Sequence, residues 1–171
     1  MQDETAPAVH PARALPHGGD AAVAHRHDST PSAVGDPLAF LAGSWHTERR
    51  LLDRAGGLTG TFTGTTTFTP DDDGLRWEEE GIVAWPQFQG PAVRTYLVRR
   101  VRDGSALVHF PDGRLLCRLD LTSGRAYDEH ACAPDTYRVR FTATSATTVE
   151  YSWDVTGPAK DLLLTTVLTR E

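Results

Sequence analysis

Turn-forming sequences recur along this chain at intervals that suit strands and are too short for long helices. The segments DRAGG, DDDG, RDGS, PDGR, TSGR and TGPAKD are separated by roughly 8–15 residues. Several contain Asp-Gly or Ser-Gly pairs, which favour tight hairpins. The segments between them are rich in Thr, Val and aromatic residues, as in TGTFTGTTTFT, and such residues fit a pleated strand. The pattern predicts an all-β, antiparallel protein.

The predicted strands are numerous enough to form a barrel. We expect about nine or ten of them, at residues 44–52, 58–69, 75–84, 92–101, 105–110, 114–121, 125–132, 136–144, 147–156 and 161–170. No amphipathic segment is long enough to cover a sheet with a helix. An antiparallel sheet of this size hides its edges most simply by closing into an up-and-down barrel. We therefore predict a barrel of about 8–10 strands, whose interior can hold one small ligand.

The barrel is expected to follow a long N-terminal extension. Residues 1–35 are rich in Ala, Pro, His and Gly without periodicity, so we expect a disordered extension before a barrel domain at 36–171. Asp36 suits a helix N-cap, Pro37 the first helical position and Gly43 the end of the helix, which predicts one short helical turn. Irregular spacing favours a solvated tail over a metal-binding one for the four histidines of the extension: His10, His17, His25 and His27.

Composition argues against several classes of function. The net charge is −6 and the largest basic cluster is RRVR, so we do not expect nucleic-acid binding. No apolar run approaches the roughly 20 residues of a membrane-spanning helix, and MQDETAPAV lacks the features of a secretion signal. We expect a soluble, cytoplasmic protein that binds no membrane. Its oligomeric state is open, with a homodimer as one alternative.

Two cysteines, Cys117 and Cys132, are expected to be free thiols in that compartment. A hairpin through TSG would pair the two flanking strands and make the cysteines diagonal neighbours, an unpromising geometry for a disulfide. The next hairpin contains EHACAPDTY, with Pro134 and Asp135 expected in its turn. The only lysine, Lys160, lies in the turn TGPAKD, where a surface ion pair is favoured over a role in guiding an anionic ligand at the barrel mouth.

Several motifs resemble a known kind of barrel. FLAGSW, in which a helical turn leads through Gly-x-Trp into the first strand, is similar to the opening of lipocalin-like and calycin barrels. The motifs GLRWEEEG, VRTYLV, VHFPDGR, LDL, EHACAPDTY and WDVTGPAKD extend the resemblance over residues 38–170, to a family of small bacterial proteins of unknown function with lipocalin-like character. The resemblance implies a lipocalin-like fold with a cavity, in which the tryptophan closes one end. It implies no activity.

Alternation along the strands predicts which side chains face the interior. Arg94 and Tyr96 share one face of their strand, and Trp77 and Glu79 share one face of theirs, although either charged residue could lie outside. In the hairpin through PDG, positions summing to about 224 should pair, which places His109 opposite Leu115 and inward. The expected interior contains aromatic rings and scattered polar groups: Trp77, Tyr96, Tyr137, Tyr151, Trp153, Glu79, Arg94, His109, His130, Cys117 and Cys132.

Such a lining is typical of a small-molecule pocket, although the same rings could fill a solid core. The two histidines and Cys132 could supply metal ligands, and either histidine could be an axial haem ligand. His-x-Cys is an uncommon zinc spacing and has no second close pair beside it, so we expect neither a metal nor a cofactor. Acid–base chemistry by His130, His109 or Tyr137 is favoured over nucleophilic attack by a cysteine.

The sequence therefore predicts a barrel that binds a small, largely apolar or aromatic molecule. Whether the protein is an enzyme stays open. If it is, we expect a cofactor-free cyclase or isomerase that holds its substrate in a folded shape. The alternatives are a haem- or metal-binding barrel, or a structural or partner-binding barrel with a filled core. The candidate catalytic residues are His130, His109 and Tyr137, and the candidate ligand-binding residues are Trp77, Glu79, Arg94, Tyr96, Cys117, Cys132, Tyr151 and Trp153.

Overall fold

The structure, a computed structural model, describes residues 30–171. This part of the chain contains one short helix, α1 (Pro37–Leu41), and ten strands: β1 (Gly43–Asp53), β2 (Leu58–Asp71), β3 (Gly74–Trp85), β4 (Phe88–Arg100), β5 (Ala106–His109), β6 (Leu115–Leu119), β7 (Arg125–Cys132), β8 (Asp135–Ser145), β9 (Thr148–Gly157) and β10 (Lys160–Arg170). The all-β prediction and the helical turn are confirmed. The largest shift is at β4, which begins at Phe88 rather than at residue 92.

All ten strands of the described chain form one antiparallel sheet, in the order β6-β5-β4-β3-β2-β1-β10-β9-β8-β7. With one exception, neighbours in the sheet are also neighbours in the sequence. The exception is the pairing of β1 with β10, which runs from Trp45 opposite Arg170 to Asp53 opposite Leu162. The sheet curls into a nearly closed barrel, as predicted, and brings β6 and β7 side by side.

Trp45 closes one end of the barrel, as the Gly-x-Trp motif predicted. Its ring is fully buried, is packed edge-on by Phe40 at 5.9 Å, and lies 4.1 Å from the guanidinium carbon of Arg170. Its indole N–H donates to the carbonyl of Leu41 at 2.8 Å. Arg170 donates to the carbonyls of Phe40 and Ala42. The helix, the first strand and the last strand are therefore joined at this closed end.

The gap between β6 and β7, called the seam below, has no strand ladder. The predicted hairpin through TSG is therefore wrong. The chain still makes a tight turn here, because the N–H of Gly124 donates to the carbonyl of Leu121 at 2.8 Å, but no ladder follows it. Leu121 is fully buried, and the N–H of Ala143 in β8 donates to the carbonyl of Gly124 at 2.9 Å. Across the seam, the carboxylate of Asp128 accepts a hydrogen bond from the backbone N–H of Arg118 at 2.6 Å.

The chain contacts the barrel before the predicted domain boundary. Ser32 donates its N–H to the carbonyl of Ala143 at 2.7 Å, and Val34, which is buried, donates to the carbonyl of Leu121 at 3.0 Å. These residues cover the closed end of the seam, so the packed chain begins at Ser32 rather than at Asp36. Residues 1–29 of the predicted disordered extension, with its four histidines, lie outside the described residues.

The interior changes character from the closed end to the opposite, open end. Apolar side chains fill it near the closed end, among them Trp45, Phe68, Leu75, Val98 and Leu168. Buried polar side chains follow at mid-height: Thr47, Arg49, Thr66, Glu79 and Thr166. At the open end, where the hairpins between β1 and β2, β3 and β4, and β9 and β10 turn, the interior contains cavities.

Replacing Arg170 by Ala should destabilise the barrel, because its guanidinium joins the last strand to α1 and to Trp45. We expect the free energy of unfolding to fall by about 1–3 kcal/mol, the range for partly buried charged hydrogen bonds with a cation–π contact. Urea denaturation followed by tryptophan fluorescence measures the change. Arg102→Ala, an exposed arginine in the loop after β4, is the matched control, and equal stability of the two variants would contradict the assignment.

Candidate functional site

Two adjoining cavities lie at the open end of the barrel. Chamber 1 has a volume of about 230 Å³, and its wall comes from β1 to β4 and β10, including Leu51, Phe62, Val83 and Trp85. Chamber 2 has a volume of about 320 Å³, and its wall includes Tyr96, Phe110, Leu116, Tyr137, Trp153 and Val155. Three residues belong to both walls, namely Arg94, Leu162 and Leu164. The chambers are therefore neighbours on either side of these three side chains.

A buried ion pair borders chamber 1 on the side of the closed end. Arg49 of β1 donates to both carboxylate oxygens of Glu79 in β3, at 2.7 and 2.9 Å, and the two side chains are 3% and 2% exposed. The hydroxyl of Tyr151 in β9 donates to Glu79 at 2.7 Å and accepts from Arg49 at 2.7 Å. Arg49 also donates to the hydroxyl of Thr166 in β10 at 2.7 Å. These four side chains, called the polar network below, connect four strands across the lumen.

The contacts of the polar network fix its charges. Burial on its own would raise the pKa of Glu79, but the charge and hydrogen bonds of Arg49 outweigh burial and hold this pKa below its ordinary value. Burial raises the pKa of Tyr151, so its hydroxyl keeps its proton. Glu79 is therefore a charged carboxylate committed to Arg49, which makes it a poor general base.

Arg94 is the second guanidinium of the interior. It lies on β4, opposite Glu79 in the ladder with β3, and its guanidinium carbon is 5.9 Å from the centre of the Tyr96 ring. Its charge adds to the lowering of the pKa of Glu79. The ion pairs within residues 30–171 do not include Arg94, because Glu79 is bound by Arg49 instead. Arg94 thus brings a second positive charge to an interior with one carboxylate.

Lys160 stands at the rim of chamber 2. Its ammonium lies 2.5 Å from the carboxylate of Asp135 at the start of β8, and this hydrogen bond raises the pKa of Lys160. The expected ion pair is present, but it is not wholly a surface pair, because the side chain of Asp135 is only 10% exposed. The lysine also lines the chamber, and a role in guiding an anionic ligand stays a prediction.

Five of the predicted site residues meet at the chambers. Glu79 and Arg94 line chamber 1, and Arg94, Tyr96, Tyr137 and Trp153 line chamber 2. Trp77 and Tyr151 point inward as predicted but line neither chamber. They pack against each other with ring centres 5.7 Å apart, closer to the closed end.

His130 lies on the less exposed face of β7, as alternation predicted. It stands opposite Tyr137 in the ladder between β7 and β8, outside the walls of both chambers.

His109 was predicted to face inward with Cys117, but it lies on the other face from the core residue Val108 and lines neither chamber, although its Nδ1 is buried. It pairs with Leu115 as expected, but a β-bulge shifts the register between Val108 and His109. Val108 therefore pairs with Cys117 and faces the core, and Leu116 is buried while Leu115 is exposed. The apolar run at the start of β6 allows either register, so alternation could not reveal the bulge.

The cysteines are free thiols, as predicted. Burial raises the pKa of Cys117, so this thiol stays protonated and is a weak nucleophile. Cys132 lies at the end of β7, with its sulfur 3.7 Å from a guanidinium nitrogen of Arg114. It pairs with Asp135 in the ladder, so Ala133 and Pro134 form the turn, rather than Pro134 and Asp135 as predicted. Neither cysteine lines a chamber.

Among residues 30–171, no three His, Cys, Asp or Glu side chains lie close enough together to hold a metal ion. The same residues contain no helix with the length and apolarity needed to cross a bilayer.

Sequence reasoning missed Arg49, the central residue of the polar network. The signal was present, because Trp45 was expected inside and every second residue after it also points inward. Trp45, Thr47 and Arg49 are all buried on β1. Phe110 was also missed, since it follows β5 in a loop, where alternation gives no guidance.

Replacing Glu79 by Gln should cost about 3–5 kcal/mol of unfolding free energy, because Arg49 stays buried without its counter-charge. Glu80→Gln, an exposed neighbour on β3, is the matched control. Urea denaturation at neutral pH compares the two. A loss below about 1 kcal/mol in E79Q, as expected for a surface pair, would contradict a buried ion pair.

The same variants test the charge of Glu79. The pKa of Glu79 in the fold lies below its ordinary value near 4.5. Its contribution to stability is therefore complete above that value, and it is lost as the pH falls through the lowered pKa. The loss of unfolding free energy below about pH 4.5 should be less steep in E79Q than in E80Q. Parallel pH profiles would show that the pKa of Glu79 is not lowered.

Comparisons with known proteins place this barrel in a family. No protein of curated function matches the sequence. Among solved structures, the S-type phycobiliprotein lyase CPES from Guillardia theta is 8% identical, with 78% of this chain and 90% of that chain covered and a TM-score of 0.55. A redesigned β-barrel is 15% identical, with 82% and 99% covered and a TM-score of 0.45. A barrel bound to DFHBI is 14% identical, with 78% and 95% covered and a TM-score of 0.42.

The lyase shares the barrel fold with this chain. The resemblance to a barrel family of unknown function, stated from the sequence motifs, is confirmed by a match over residues 41–170, which cover most of the described structure. The chain belongs to the family described as "Family of unknown function (DUF6314)".

Proposed function

We propose that the protein binds a small, largely apolar molecule in the two chambers. The observation that carries the proposal is a pair of adjoining cavities of about 230 and 320 Å³ inside the barrel. Their walls consist mainly of aliphatic and aromatic side chains, with a few polar groups that could orient a ligand. This is the usual composition of small-molecule sites. A barrel with a purely structural role needs no such space, because its core could be filled as it is near Trp45.

The polar network supports this proposal because it braces the chambers. It holds β1 and β3 to β9 and β10 by hydrogen bonds of 2.7–2.9 Å. The network thereby fixes the separation of these strands across the barrel, and the side chains of Leu162 and Leu164 have a defined place between the chambers. A site with a preformed shape loses less conformational freedom when its ligand binds.

Cofactor-free isomerisation or cyclisation is the second candidate function, and the position of Tyr137 favours it. The hydroxyl of Tyr137 is a chamber 2 group close enough to Lys160 to add to the rise in the pKa of the ammonium. It could exchange a proton with a ligand held in a folded shape. His130, opposite Tyr137 in the ladder, would then act through Tyr137 rather than on the ligand. His109 lies outside the chamber walls, so a haem or metal at either histidine has less support.

Filling the space shared by both chambers should abolish binding. Leu162→Trp places an indole there, and we expect the affinity for the uncharged fluorescent probe N-phenyl-1-naphthylamine to fall at least ~10-fold, equivalent to about 1.4 kcal/mol. Thr165→Trp is the matched control, because Thr165 is exposed on the outer face of the same strand. Fluorescence titration measures both affinities. Unchanged binding in L162W would place the probe outside the chambers and contradict the proposal.

The enzymatic candidate is tested on the ligand that mass spectrometry identifies in the denatured, purified protein. Conversion of that ligand by the full chain should be lost in Tyr137→Phe, which removes only the hydroxyl. Tyr127→Phe is the control, because Tyr127 is 59% exposed on the other face of the adjoining strand. Equal turnover in the two variants would remove Tyr137 from the mechanism.

A further inference from the structure

We infer that the ligand carries a carboxylate, which pairs with Arg94 while the apolar part of the molecule lies in chamber 2. This inference rests on the proposed ligand binding and specifies the chemistry of the ligand. It follows from the charges around the chambers, from the contacts that Arg49 already makes, and from the geometry that a guanidinium offers.

The charged groups around the chambers are unbalanced. Chamber 1 is lined by Arg49, Glu79 and Arg94, which together carry one more positive than negative charge. The charged residues in the wall of chamber 2 are Arg94 and Lys160, and no carboxylate belongs to this wall in the described chain. Lys160 is balanced by Asp135 at the rim. The excess charge is therefore that of Arg94.

Arg49 is not the group that meets the ligand. Four of its N–H bonds are already used, two on Glu79, one on Tyr151 and one on Thr166. A ligand that competed for Arg49 would have to break a bidentate ion pair that is almost fully buried. Arg94 borders both chambers and is half-buried, so its guanidinium is the cation that remains available inside.

The surroundings of Arg94 strengthen its attraction for an anion. A charged group that is partly removed from water gains from a partner, because the effective dielectric constant is lower there than in solution. A guanidinium offers parallel N–H bonds that match the two oxygens of a carboxylate. The walls of Phe110, Trp153 and Leu164 leave the rest of the ligand an apolar and aromatic surface. The combination selects an apolar acid over a neutral molecule of the same shape, and over an amine.

Ligands of one shape and different charge test the inference. We choose 2-naphthoate, the neutral 2-naphthamide and 2-naphthylmethylammonium, and repeat the comparison with decanoate and decanamide. Isothermal titration calorimetry with the full chain should give each acid at least ~10-fold higher affinity than its amide, because charge-assisted hydrogen bonds are about twice as strong as neutral ones. The ammonium compound should bind most weakly.

Arg94→Gln tests the residue. It should lower the affinity for both acids ~10-fold or more and leave both amides within ~3-fold of the wild type. Arg140→Gln is the matched control, because Arg140 is exposed on the outer face of β8, and this variant should bind every ligand as the wild type does. Unchanged affinity of R94Q for the two amides, which use the same chamber without the charge, separates a lost carboxylate contact from lost structure.

The remaining outcomes would overturn the inference. Equal affinity for acid and amide, stronger binding of the ammonium compound, or an acid preference that persists in R94Q would each remove the Arg94–carboxylate pair and leave cavity binding intact. If the acids fail to bind while N-phenyl-1-naphthylamine binds, the inference is likewise wrong and the proposed function stands. If no ligand binds, the probe included, the proposed function fails as well.

Discussion

The ladder between β1 and β10 is the constraint on which the rest of the barrel depends. Every other strand pairing joins strands that follow each other in the sequence, so it can form locally. Without the ladder from Trp45–Arg170 to Asp53–Leu162, the chain would consist of two open meanders, β1–β6 and β7–β10. Forming the β1–β10 ladder requires the two ends of the folded domain to meet, which costs loop-closure entropy before any contact is made. The cation–π contact between Arg170 and Trp45 stabilises one end of this ladder.

The polar network solves a problem that an internal cavity creates. Apolar side chains around a space tend to move into it, because an unfilled cavity forfeits dispersion contacts. Arg49 and Glu79 resist this collapse, since their hydrogen bonds need fixed distances and their charges need each other. Such a buried pair contributes little to stability compared with apolar packing of the same volume. The pair lies between the filled core and the chambers, where it can maintain the shape of the cavity. The hydroxyls of Thr166 and Tyr151 accept hydrogen bonds from the Nε and Nη2 of Arg49 and hold its guanidinium in place.

Strand positions could be predicted from the sequence because alternation and turn residues act locally and leave a direct record. Tyr137 was placed inward on that basis, whereas Glu79 and Arg94 kept an outward alternative; all three line the chambers. The local pattern did not predict strand register or pairing where contacts between distant parts of the chain determine them. The bulge before His109 and the missing ladder between β6 and β7 depend on which side chains the core accepts, and the flanking sequences fit either solution. The pairing of Arg49 with Glu79 spans 30 residues, and no pattern in one strand reveals its partner in another.

The seam makes the two halves of the barrel wall mechanically unequal. Most of the wall of chamber 1 comes from β10 and β1 to β3, where each strand is bound on both sides by a continuous ladder, whereas β4 is paired with β5 only from Leu97 to Arg100. Part of the wall of chamber 2 comes from β6, on one side of the seam, and from β8, which pairs with β7 on the other side. Widening the barrel there breaks side-chain contacts such as that of Asp128 and no ladder hydrogen bonds. We therefore expect a change in the width of the barrel to alter chamber 2 more than chamber 1.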